Sequence, residues 1–332
     1  MARPPSSEGL RSEALRAALT AALAGKPGPL EDLLRRHGDG HGARPNLRLA
    51  AAFGAEMAAL PGSASRLLDR LGANDVAPDT ADVFLPIAAA HGWVGRLRTD
   101  HLGNPGRVPE PSRDGARRAE LAGSPRDHEV GAAWDALAML AGDERMPVRL
   151  GTLAALASFA ARPGGGDALL ARAIDWLEID DREVRFGAAG VVVEVFADRQ
   201  AVAGLADPEP LLDYLSRAIA AVAGAPRAAE RSDARRRLLL ALPRTLAGVA
   251  AGLRAGDRGA AWLEEECRSA THPDVRGALS NSVLILADKS SGQGAALAQG
   301  LRAALEGSAK PPRDPTRARP GAARGKSSRP MR

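Results

Sequence analysis

Apolar positions in this chain recur at helical rather than strand spacing. Leu10, Leu15, Leu19 and Leu23 fall near one face of a helix over 8–24, and Gly25-Lys26-Pro27-Gly28-Pro29 ends it. The same reading predicts short helices over 30–37 and 46–60. A partner helix follows from Ser63 to Gly72, and another runs from Asp79 or Thr80 to His91-Gly92, kinked at Pro86. Beyond a proline-rich interruption, the pattern predicts four helix pairs: 125–141 with 146–161, 167–179 with 181–197, 208–223 with 232–253, and 259–268 with 274–289. Pro243 predicts a bend inside its helix, and 294–305 reads as a closing helix.

One stretch repeats. MPVRLGTLAALASFAA at 146–161 returns as EVRFGAAGVVVEVFA at 183–197 and as PDVRGALSNSVLILA at 273–287. Each places a Val-Arg pair in the first turn of an apolar helix. Arg149 and Arg185 are 36 residues apart, and Arg276 lies 91 further on, room for two more units. A weaker copy spans 232–253 with Arg236 near the expected place, and an early one spans 46–60 with Leu47-Arg48. Acids stand just before the pair: Asp143 and Glu144, then Asp180, Asp181 and Glu183, then Asp274. An acid there accepts hydrogen bonds from unpaired N–H groups, and Pro147 or Pro273 fits the first turn. Small residues follow (Gly151, Gly187, Gly277) and let helix axes approach closely. The repeated arginine is expected to reach an acid at the start of an adjacent unit.

Asp…Val-Arg followed by small and aliphatic residues resembles the second helix of HEAT repeats, over roughly 46–289. The resemblance implies an all-α solenoid of stacked antiparallel helix pairs, a curved body and a role in binding. The expected organisation is N-terminal helices and a loop over 1–45, a HEAT-like α-solenoid over 46–306 interrupted by a loop near 102–113, and a disordered basic tail over 307–332.

Composition supports this picture. Hydrophobic residues make up 45% but aromatics only 3%, so the core is filled with Ala, Leu and Val, which favours packed helices. The net charge of +5 invites a nucleic-acid reading. Eight basic residues and one acid lie from Lys310 onward, however, leaving 37 basic and 39 acidic residues in the body. The basicity belongs to the tail. Its arginines, Arg313, Arg317, Arg319 and Arg324 among them, can bind an acidic surface or nucleic acid nonspecifically, or simply solubilise the chain. A single cysteine, Cys267, excludes an internal disulfide framework. No membrane span or secretory signal is evident, so a cytoplasmic protein is expected.

Candidate chemistry is sparse. His37 and His41 have metal-ligand spacing, but glycines surround them and no Glu follows the first, so no metal or other cofactor is expected. Cys267 follows Glu264, Glu265 and Glu266, and negative charge weakens a thiolate nucleophile. Gly164-Gly165-Gly166 lacks the rest of a phosphate loop and reads as a turn. Some HEAT-like proteins are DNA alkylation-repair glycosylases that use aromatics and an acid on the concave face. Trp134, Asp135 and Trp176 are the residues able to play that part here, although tryptophans among aliphatics also suit packing. Nothing favours a HEAT-type chromophore lyase. The expected function is a non-enzymatic scaffold binding a protein partner through its curved surface, with the glycosylase as the alternative.

Overall fold

The computed structural model describes residues 7–38, 45–60, 64–73, 75–97, 125–252, 258–289 and 293–307. The described residues hold fifteen α-helices and two short 3-10 turns, with no strand. The predicted loop near 102–113, His41 and the tail from Lys310 onward lie outside them. The helices are α1 (Ser7–Leu23), α2 (Gly28–His37), α3 (Leu47–Met57), α4 (Ser65–Gly72), α5 (Phe84–Arg96), α6 (Pro125–Gly142), α7 (Met146–Ala160) and α8 (Gly165–Trp176). They continue as α9 (Arg182–Val195), α10 (Arg199–Ala203), α11 (Glu209–Ala223), α12 (Asp233–Gly252), α13 (Arg258–Ser269), α14 (Pro273–Lys289) and α15 (Gln293–Gly307).

These helices pack as two rows. In one, α3, α5, α7, α9, α12 and α14 each pack against the next in that order. In the other, α4 packs on α6, and α8, α11, α13 and α15 pack in succession. Crosswise contacts join the rows, as where α6 meets α5, α7 and α9 and where α14 meets α15. A helix with one apolar face cannot hide it alone, and each row covers the other. The buried side chains form one cluster from Leu15 to Leu305.

Side-chain caps set the helix starts. Asn46 Oδ1 accepts the Leu49 N–H at 3.1 Å, and Asp181 accepts the N–H groups of Glu183 and Val184 at 2.9 and 3.3 Å. Asp181, not Asp180, is therefore the cap. Asp143 instead holds Arg145, accepting from its backbone N–H at 2.8 Å and from Nη2 at 2.6 Å.

The repeated arginines do share one job, but it differs from the expected one. Arg149 Nη1 donates to the carbonyls of Asp143 and Glu144, both at 2.6 Å. Arg185 Nε donates to Ile179 O at 2.6 Å, and its Nη2 to Asp180 O at 3.3 Å. Arg276 donates to Ala270 O at 3.2 Å and to Leu305 O at 2.7 Å. All three reach back six residues, to carbonyls just past the end of the preceding helix that no further turn can satisfy. A guanidinium, with five donors in a planar fork, suits that task. The expected bridge to an acid of the next unit belongs instead to Arg235. Its Nη1 donates to Asp274 at 2.8 Å and its Nη2 to Val222 O at 3.2 Å, tying α12 to α14. Arg236, the residue in register, is exposed and, among the described residues, pairs only with Asp233 of its own helix, at 3.2 Å.

Close helix crossings explain two glycines that look like stops. A Cβ on Gly95 would stand 2.0 Å from Gly54 O, and one on Gly92 would stand 2.4 Å from Leu68 Cδ2. The α5 helix therefore runs through His91-Gly92 to Arg96 instead of ending there, and its glycines admit α3 and α4. Pro86 lies in its first turn, where a missing N–H costs nothing, so the expected kink has no cause. A Cβ on Gly187 would similarly stand 2.8 Å from Gly142 Cα. Gly277 corrects the pattern, since a Cβ there would meet nothing within 4 Å.

Candidate functional site

The first row leaves one face open. Across α7, α9, α12 and α14 runs a groove of about 920 Å³, lined by Leu153, Glu194, Leu240, Arg244, Gly248 and Ile285 among others. The α12 helix supplies more of it than any other element. Its inward side chains, Ala234, Leu238, Leu242 and Thr245, are buried. Thr245 Oγ1 donates to Val193 O at 2.8 Å, fixing α12 on α9. Arg237, Leu240 and Arg244 then fall together on another side, at helical steps of three and four.

Leu240 is 74% exposed, more than any other large apolar side chain among the described residues. It shares the groove lining with the partly buried Leu153 and Ile285. Met146 and Leu150 of α7 and Leu284 of α14 are exposed on the same helices but outside that lining. Exposed apolar surface in a groove marks an interaction site.

The charges here are mixed. Glu194 stands between two cations. Removal from solvent raises its carboxyl above the ordinary range, while Arg149 and Arg244 pull it down. Burial lowers the Arg149 guanidinium, and Arg237 beside it lowers it further, against Asp143, Glu194 and Asp233. Arg149 is committed to two carbonyls. Arg237 and Arg244 make no hydrogen bond or ion pair with any described residue, and Gly248 faces open space where a Cβ would meet nothing within 4 Å.

The tryptophan pair lies elsewhere. Trp134 of α6 and Trp176 of α8 do come together, with ring centroids 6.2 Å apart, and Phe159 meets Trp134 edge-on at 5.5 Å. All three are buried, Trp134 to 2% exposure, while Asp135 points to solvent. The acid lies on the solvent side of its helix and the rings are closed inside, so the fold does not bring Asp135 together with them. The rings are packing at equivalent positions of successive second-row helices.

Other candidates resolve similarly. Cys267 is fully buried; burial first, then Glu266 and Glu264, push its thiol up to about 11, against Arg276. That is the reverse of an activated nucleophile. Beside it Trp262 Nε1 donates to Ser216 Oγ at 2.9 Å, and Ser216 Oγ donates to Glu266 at 2.6 Å, a chain joining α11 to α13. His37 ends α2 and its carbonyl accepts from Asn46 Nδ2 at 2.9 Å. Gly164, at φ 72°, forms the turn before α8, while Gly165 and Gly166 begin that helix. Among the described residues no cluster of His, Cys, Asp or Glu is arranged to hold a metal. No helix of the described residues is long and apolar enough to cross a membrane. Arg313, Arg317, Arg319 and Arg324 lie outside the described residues.

The groove was missed by sequence reasoning although a signal existed. In Leu238-Leu239-Leu240, three consecutive leucines cannot all face inward on one helix, and arginines at 237 and 244 bracket the one that does not. Compared with known protein families and with curated proteins, the sequence matches none.

Proposed function

We propose that this chain is a HEAT-like α-solenoid acting as a non-enzymatic scaffold, which holds a protein partner along the groove of its first helix row. The Val-Arg recurrence and the successive packing of α3, α5, α7, α9, α12 and α14 support the solenoid. The binding role rests on one observation: Leu240, 74% exposed, stands in a groove that Leu153 and Ile285 also line. No observation favours the glycosylase, since its candidate rings are buried away from Asp135. A cytoplasmic setting belongs to the same proposal.

Photo-crosslinking tests it. The residue p-benzoylphenylalanine replaces Leu240, or as a control Met139, which is 58% exposed on α6 outside the groove lining. Irradiation in the native cells is expected to give discrete protein adducts from position 240 and none of them from 139. The same adducts from both positions, or none from 240, overturns the proposal.

A further inference from the structure

We infer that the groove is built for an acidic amphipathic segment of a protein partner, one apolar side chain flanked by two carboxylates, read by Arg237, Leu240 and Arg244. This rests on the binding role proposed above and specifies its ligand chemistry.

The inference comes from contrasting arginines. Arg149, Arg185, Arg235 and Arg276 direct their donors at carbonyls or a carboxylate of the chain itself. Arg237 and Arg244 make no such bond with a described residue; Arg244 lines the groove, and Arg237 lies seven residues before it on the same side of α12. Glu194 offsets Arg244 by charge only, without a hydrogen bond, and Arg149 crowds Arg237 with like charge. An arriving carboxylate relieves that crowding and occupies donors now left to water.

Spacing then limits the ligand. Residues 237 and 244 are two turns apart, about 10 Å along the axis. A second helix laid against α12 matches them with acids seven residues apart, and presents an apolar residue between them to Leu240. Ile285 and Leu153 extend the apolar strip to either side. Nucleic acid fits less well, because the groove lining holds no aromatic ring on which a base would stack.

The test is fluorescence anisotropy with the full chain and a labelled alanine-based helical peptide carrying Glu, Leu and Glu at positions i, i+3 and i+7. Its companions are the same peptide with both Glu replaced by Lys, the same with Leu replaced by Ala, and a labelled DNA duplex. The acidic peptide is expected to bind, the Ala version more weakly, and the Lys version not at all. The double variant Arg237→Glu/Arg244→Glu is expected to lose about tenfold or more in affinity for the acidic peptide and to gain the Lys peptide. Gly248→Leu, which fills open space without a clash, is expected to weaken binding with the thermal midpoint unchanged. No binding of the acidic peptide, equal binding of the Lys peptide, or tighter DNA binding abolished by the same variants overturns the inference. Adducts at position 240 together with such a result leave the scaffold standing and remove only its acidic ligand, whereas absence of adducts removes both.

Discussion

Arg235 and Arg244 stand on the same helix, two and a half turns apart, and have opposite fates. Arg235 is 2% exposed and holds Asp274 and the Val222 carbonyl. Arg244 faces the groove with no hydrogen bond to any described residue. Leu238 and Leu240 repeat the contrast in apolar form, one fully buried and the other 74% exposed. The difference teaches that residue type alone assigns neither role. What counts is the helix face, and whether the neighbours on that face have already met the side chain's needs.

The comparison can be broken most easily with the leucines. Leu238→Ala is expected to lower unfolding stability by about 3–4 kcal/mol, through lost burial and the cavity left between α9 and α12. Leu240→Ala is expected to stay within about 0.5 kcal/mol by urea denaturation. Equal losses would dissolve the distinction between the faces.

A buried polar group on the same row sharpens it. His91 on α5 is buried, and burial lowers its imidazole from 6.5 to about 4, despite a hydrogen bond with the Gly151 backbone. The folded state therefore binds this proton less readily than the unfolded chain. Its neutral form keeps full stability above pH 6.5, and stability is lost as pH falls from there toward 4. The expected loss approaches about 3 kcal/mol, and His91→Gln should lack that part of the acid slope. An unchanged slope in the variant would place the proton elsewhere.

Arg235→Ala comes next. The expected cost is about 2 kcal/mol, below that of a fully buried pair because the Asp274 side chain is 41% exposed and regains water. Smallest of all, Arg237→Ala and Arg244→Ala should each change stability by less than about 0.5 kcal/mol, read from the same urea transitions.

Much of this architecture was legible in the chain. The helix-period pattern placed α6 to α9 closely, because Gly142, Asp181 and the short turns around them are local signals. The Val-Arg register was legible too, but not what the arginines meet. Spacing tells where a side chain starts, whereas the orphan carbonyl it finds depends on how the preceding helix ends. Gly92 misled for a related reason. A glycine that stops a helix and one that admits a neighbour look alike in sequence, and the neighbours that decide the matter, Leu68 and Phe53, are 24 and 39 residues away. Trp134 and Trp176 meet in the fold, but which way Asp135 points needed the helix in place. The groove stayed hidden because it is assembled from five helices spread over more than a hundred residues.

The division between the two faces of α12 is tested most directly by taking Arg235→Gln and Arg244→Gln through a thermal melt and an acidic-peptide titration side by side. The expected result is a crossed one: Arg235→Gln melts lower and, while folded, binds as before, and Arg244→Gln melts as the native chain does but binds more weakly. A lower melt for Arg244→Gln with binding intact, or a binding loss for Arg235→Gln without a lower melt, would contradict the account.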